Sequence, residues 1–189
     1  MILGMSVAVF TQVHVAISLI GIASGFVVIF GMMASKRMPA MTALFLTTTI
    51  LTSVTGFLFP FHGVTPGIVV GVLSLVVLAV SVIAWYREWR GTWVLTAIVA
   101  EFFNFFVLVV QSFEKVPALH ALAPTGKEGP LKAAQLGALV LFVVLAVIAY
   151  RRFRPQMAWR APDNRADCKA LADRYAVVTP SEFWARHGG

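Results

Sequence analysis

The sequence predicts an all-α fold, an integral membrane bundle of five transmembrane helices, and three observations carry that reading. Of 189 residues, 59% are apolar and only 12% are charged, about half the charged share of ordinary soluble domains. Mean hydropathy is +0.86. No Asp, Glu, Lys or Arg occurs in residues 1–35, 38–86 or 133–150, and Glu101 alone interrupts 91–113. A span needs about 20 apolar residues, so these windows hold several spans and an ordinary soluble domain is excluded. Residues 1–154 form the membrane domain in this reading, and 155–189 a short cytoplasmic tail.

The first helix is placed at 9–34. The opening MILGMSVAVF has no basic region and no small-residue cleavage site after it, so it reads as the start of a span and not as a cleavable signal. Lys36 and Arg37 close that span. The uncharged window 38–86 is too long for one helix across a bilayer, so it contains a turn. PFHGVTPG at 60–67 supplies it, with Thr65 as N-cap and Pro66 at the first helical position. This gives a second helix at 41–59 and a third at 66–85. A fourth follows at 92–113. Residues 115–130 carry Pro117, Pro124, Gly126, Gly129 and Pro130 and read as a loop or short interfacial helix, not a sixth span. The fifth helix is placed at 131–150. In the tail, 164–177 is compatible with a short helix, and TPSEFW from Thr179 has the order of a helix start, with Pro180 at the first position and Glu182 to complete a capping box.

Orientation follows from the basic residues. Lys36, Arg37, Arg87, Arg90, Arg151, Arg152 and Arg154 fall on one side of this threading, against Lys115, Lys127 and Lys132 on the other. The positive-inside rule then puts the amino terminus outside and the carboxyl terminus in the cytoplasm. Trp85, Tyr86, Trp89, Trp93 and Tyr150 read as interfacial anchors on the cytoplasmic side. The net charge of +7 is accounted for by topology and anionic headgroups, not by nucleic acid. The expected partners are the lipid bilayer and either further copies of the chain or a larger membrane complex.

Small and polar side chains recur on single helix faces: His14, Ser18, Gly21 and Gly25 on the first helix, Thr48, Thr52, Thr55 and Phe59 on the second, Gly67, Gly71, Ser74 and Ser81 on the third. Such seams are packing surfaces between helices. On the fourth helix Glu101, Asn104, Leu108, Gln111 and Lys115 form a polar line from mid-span to the outer surface. A carboxylate within a span costs about 2.5–3.5 kcal/mol to insert, so Glu101 is expected to face the bundle and to be protonated or paired. It reads as a proton-linked or ligand-binding group, or as a neutral carboxyl giving one hydrogen bond to a neighbouring helix.

His14, His62 and His120 fall at the outer surface in this threading. Three imidazoles meeting there would suit Zn or Cu, and two would suit a haem iron, with Gln111 and Glu114 beside them. The single Cys168 excludes an internal disulfide and reads as a reduced thiol. No CxxC or HExxH spacing is present. There is likewise no Gly-rich phosphate loop and no GxSxG, so no catalytic residue is assigned.

The stretches GFLFPFHG at 56–63 and KVPALHALAPT at 115–125, set between apolar spans with a Lys36-Arg37 loop after the first, resemble those of small, uncharacterised five-span inner-membrane proteins of proteobacteria. The resemblance covers about residues 9–155 and leaves the tail unmatched. It implies a helical bundle in a bacterial inner membrane and no particular activity, cofactor or catalytic residue. Three functions stay open on the residues alone. The first is a non-enzymatic accessory or small-molecule-binding subunit, with an outer polar pocket lined by His14, His62, Gln111, Glu114 and His120 above Glu101. The second is a membrane redox or metal protein binding haem, Cu or Zn. The third is a proton-coupled carrier using Glu101, Asn104 and Gln111, with Lys115 at the outer end of the line.

Overall fold

The computed structural model describes residues 2, 4–59 and 66–154. Those residues hold six helices: α1 (Val7–Met33), α2 (Pro39–Gly56), α3 (Pro66–Tyr86), α4 (Arg90–Lys115), α5 (Pro117–His120) and α6 (Gly129–Arg152). Four of them, α1, α3, α4 and α6, are long and apolar enough to cross a membrane, which makes the chain a multi-pass membrane protein. α2 lies where the second span was expected. Its eighteen residues include Thr42, Thr47, Thr48, Thr49, Thr52, Ser53 and Thr55, a polar load the other long helices lack. The single turn α5 falls inside the Pro- and Gly-rich connection. His62, the proposed N-cap Thr65, Cys168 and the tail helices lie outside the described residues.

Local chemistry explains the ends. Ser6 caps α1 by accepting the Val9 N–H at 3.3 Å. α2 stops at Gly56, three residues short of the expected 59. There the Phe57 and Leu58 N–H groups bond only three residues back, to Val54 and Thr55 carbonyls. Gly is a poor helix former and the residue before Pro60 is steered out of the helical region, so the last turn tightens and ends. α1 and α3 end alike: Ser35 and Glu88 both adopt φ +57°, and the next N–H reaches back five residues, Lys36 to Gly31 and Trp89 to Ala84, each at 2.9 Å. This left-handed closure normally favours Gly.

α4 is the central element, packed against α1, α3, α5 and α6, while α1 also lies along α2 and α6, and α3 bridges α2 and α4. Hydrophobic attraction does not drive helices together in lipid, so contact quality decides. Phe102 and Phe105 of α4, Phe142 of α6 and Phe26 of α1 form one aromatic cluster with centroids 5.6–6.0 Å apart. The hydrophobic core, including Ile29, Met32, Phe45, Leu78, Trp93, Val94, Ala97 and Ile98, fills only one half of the bundle. Past Gly21 on α1, Thr49 on α2 and Glu101 on α4, moving towards the other end, only Phe10 on these three helices is buried.

The packed half carries the basic residues. Arg37 pairs with Glu88 at 2.7 Å and lies over the Trp85 ring. The Arg90 guanidinium donates to the Tyr150 carbonyl at 3.1 Å and to that of Phe153, closing the carboxyl end of α6, where a cation suits the helix dipole. The Arg154 N–H donates to Ser35 Oγ at 2.8 Å. The α1–α2 connection, the α3–α4 connection and the end of α6 therefore share one end of the molecule.

Candidate functional site

α1 and α2 run antiparallel in one register. A Cβ on Gly25 would meet Phe45, one on Gly21 would meet Thr48 and Thr49, and His14 reaches Thr55 and Gly56. Phe10 meets Phe59 edge-on at 5.0 Å. Facing residues thus have numbers that add to about 70, which sets Thr52 level with Ile17 and Ser18. Gly21 and Gly25 are what let the two helices come this close.

Glu101 enters this interface from α4. It is 0% exposed, and its carboxyl occupies the space a Cβ on Gly25 would take, beside the Phe45 ring. Among the described residues neither carboxyl oxygen has a hydrogen-bond partner. Next on the same face, Asn104 donates its amide to Thr49 Oγ1 of α2 at 3.1 Å. Thr52 Oγ1 is buried and likewise has no partner among the described residues. Unpartnered buried polar atoms are few in folded proteins, and these three belong to one interface.

At the far end, His14 Nδ1 lies 2.8 Å from Thr55 Oγ1, and the His14 ring meets Phe59 edge-on at 5.2 Å. The Thr55 hydroxyl donates its one proton to the Leu51 carbonyl at 2.7 Å. With the Thr55 hydroxyl directed at the Leu51 carbonyl, Thr55 accepts from His14 in the tautomer that carries its hydrogen on Nδ1, and among the described residues nothing bonds Nε2.

The other candidates separate. Gln111, Glu114, Lys115 and His120 are exposed, and among the described residues no hydrogen bond or ion pair ties any of them to Glu101 or His14. No group of three His, Cys, Asp or Glu able to hold a metal occurs among the described residues, and the three-histidine set would need His62, which lies outside them. Of the fourth-helix line, Glu101 is buried and Asn104 is bonded to α2, so the polar contacts leave α4 at Thr49. The α3 face is used in packing: Gly71 receives Phe57, Ser74 accepts from Ser53 at 3.4 Å, and Ser81 accepts from Thr96 at 3.1 Å.

Sequence reasoning passed over Thr49 and Phe45. Thr49 sits in the run Thr47-Thr48-Thr49, where helical spacing alone picks Thr48, and only the cross-helix register selects its neighbour. Outside the bundle, Glu128 folds back on Thr125, accepting from its N–H at 2.9 Å and its hydroxyl at 2.7 Å, and from the Lys127 N–H at 2.9 Å. The Thr125 hydroxyl bond above all holds the Glu128 carboxyl down at about 2. Gly126 takes φ +71° in that turn, where a side chain would be strained.

No family model, curated protein or solved structure matches the chain.

Proposed function

We propose that this chain is a five-span protein of a bacterial inner membrane, amino terminus outside and carboxyl terminus in the cytoplasm, that binds and releases a proton at Glu101. It acts as a carrier or as a non-enzymatic, proton-linked subunit of a larger complex. The observation that carries this is the fully buried Glu101 carboxyl with both oxygens unpartnered. A carboxyl kept for packing would be hydrogen-bonded, and one kept for a salt bridge would face a cation. Among the described residues Glu101 faces no cation and, beyond the neighbouring Asn104 amide, no donor, so in this closed packing it is held as the neutral acid, since an isolated ionised carboxylate in an apolar site is far too costly. Intramembrane ionisable groups mark proton and ion pathways by default. A proton also needs no room at the carboxyl itself, which is wedged between Gly25 and Phe45.

Two features support the threading. α2 is about 27 Å long at 1.5 Å per residue, close to the hydrocarbon thickness of about 30 Å, and it packs between α1 and α3. The seven basic residues at the shared end of the bundle agree with a cytoplasmic face there. The metal and haem reading has no comparable support among the described residues.

The test is proton flux into liposomes containing the full chain, with a trapped pH dye and an imposed potential. Flux above that of empty liposomes is expected for the wild type, with background flux for Glu101→Gln. An infrared carboxylic-acid band present in the wild type and missing in Glu101→Gln should accompany it. Equal flux in the two proteins would overturn the proposal.

A further inference from the structure

We infer that the proton of Glu101 travels along the α1–α2 interface, by way of Thr49, Thr52 and Thr55, to and from His14. This rests on the proton-binding reading of Glu101 and adds the route. Sequence spacing alone suggested a line along α4 to Gln111 and Lys115, but the contacts run elsewhere. From the level of Gly25 to that of His14 the distance is about 16 Å along α1. Polar groups stand at every turn between: Asn104 bonded to Thr49, then Thr52, then Thr55 bonded to His14. Thr49, Thr52 and Thr55 are spaced by about 4.5 Å along α2. That is too far for direct hydroxyl-to-hydroxyl transfer and suits one bridging water per gap, which needs polar partners to hold it. The unpartnered Thr52 hydroxyl is the group such waters require.

Packing sets the direction. Core residues fill the bundle on the basic side of Glu101, and on the His14 side α1, α2 and α4 bury nothing but Phe10. Uptake proceeds in balanced steps. A proton from bulk water binds His14 Nε2, and Nδ1 passes its own proton to Thr55 Oγ1. The Thr55 hydroxyl, turning from the Leu51 carbonyl, hands one on, and each hydroxyl or water accepts one proton and gives one until a carboxylate oxygen of Glu101 receives it. His14 is left neutral with its hydrogen on Nε2. Among the described residues no other titratable side chain intervenes on the surrounding helices, α5 carrying only the exposed His120. α1 carries only His14, α2 none, α3 only Tyr86 at its end, and α6 carries Lys132, Tyr150, Arg151 and Arg152 at its two ends. On α4 itself the others, Arg90, Glu114 and Lys115, are also terminal.

The decisive variants are Thr52→Val, which keeps the shape and removes the hydroxyl, and Thr52→Ser, which keeps the hydroxyl. Thr47→Val, exposed on the same helix, serves as control. In the liposome assay Thr52→Val and His14→Gln should each lower flux about tenfold, as expected for one weakened link in a relay. Thr52→Ser should restore most of it and Thr47→Val should match the wild type. The infrared band of Glu101 should persist in all of them. Wild-type flux in Thr52→Val, with flux still abolished in Glu101→Gln, would overturn the route and leave the Glu101 reading standing. So would a loss confined to Gln111→Leu, which would place the path on α4. Absence of flux in the wild type would overturn both.

Discussion

Gly25 and Glu101 compete for one space from opposite helices. A Cβ on Gly25 would be driven into the Glu101 carboxyl and would stand 2.9 Å from Phe45 Cε2, and a fully buried carboxyl has nowhere to retreat. Gly25→Ala should therefore destabilise the bundle by about 1–3 kcal/mol, the usual penalty for overpacking. Thermal unfolding in detergent would show it. Because the clash lies mainly with the carboxyl, the substitution should be less harmful in a Glu101→Ala background. Strict additivity of the two changes would show that the groups do not share this space. At this scale the sequence announces Glu101 plainly, since it is the one charge in its window, and it also pairs Gly21 with Gly25. It does not say that Gly25 is small for the sake of a residue 76 positions away.

The elements are closed by contacts that offset strained backbone. Ser35 and Glu88 hold a left-handed conformation that costs a non-glycine residue about 1–2 kcal/mol. Each uses its side chain at the basic end, Ser35 to accept the Arg154 N–H and Glu88 to pair with Arg37. The Glu88 pair is exposed, at 36% and 54% for its two side chains, and such pairs contribute about 0–1 kcal/mol. Glu88→Gly should thus leave thermal stability nearly unchanged, the relaxed backbone offsetting the lost pair. Glu88→Ala, which loses the pair and keeps the strain, should lower it by up to about 1 kcal/mol. Equal midpoints for the two variants would show that the backbone here is not strained. Helix positions were legible because charges bound them or, between α2 and α3, the Pro- and Gly-rich turn at 60–67, and the ends of the five long helices lie within three residues of their expected places. The early stop of α2 at Gly56 was the least legible, since apolar Phe57, Leu58 and Phe59 continue the hydropathy while the backbone ends the helix.

Across the whole molecule, one end is knit together by Arg37, Glu88, Arg90, Ser35 and Arg154 over a filled core, while the other is less tightly packed around His14 and Thr55. In the proposed orientation, which puts the tight, basic end in the cytoplasm, a periplasmic reporter fused after Gly63 or Gly126 should be active, and one fused after Gly189 inactive. A cytoplasmic reporter should give the reverse. Because Phe59 meets Phe10 at the His14 end, a cytoplasmic signal at Gly63 would invert this threading and move His14 and the open half of the bundle to the other face. The outward faces of α3 and α6, with Val72, Val76, Leu136, Val140 and Val143 exposed, are as apolar as lipid requires.

The sequence by itself determined that this is a helical membrane protein, where its helices lie, which connections carry the cations, and that Glu101 is the side chain to explain. Those features follow from local composition, because desolvating a charge or a bare backbone in hydrocarbon is prohibitive wherever it occurs in the chain. Only the tertiary structure decided what Glu101 meets. That depends on the register of α1 against α2 and on the rotation of α4, which are set by the shapes of Gly21, Gly25, Phe45 and the phenylalanine cluster acting together. A shift of one helical turn in either would leave the same hydropathy pattern and a different set of neighbours.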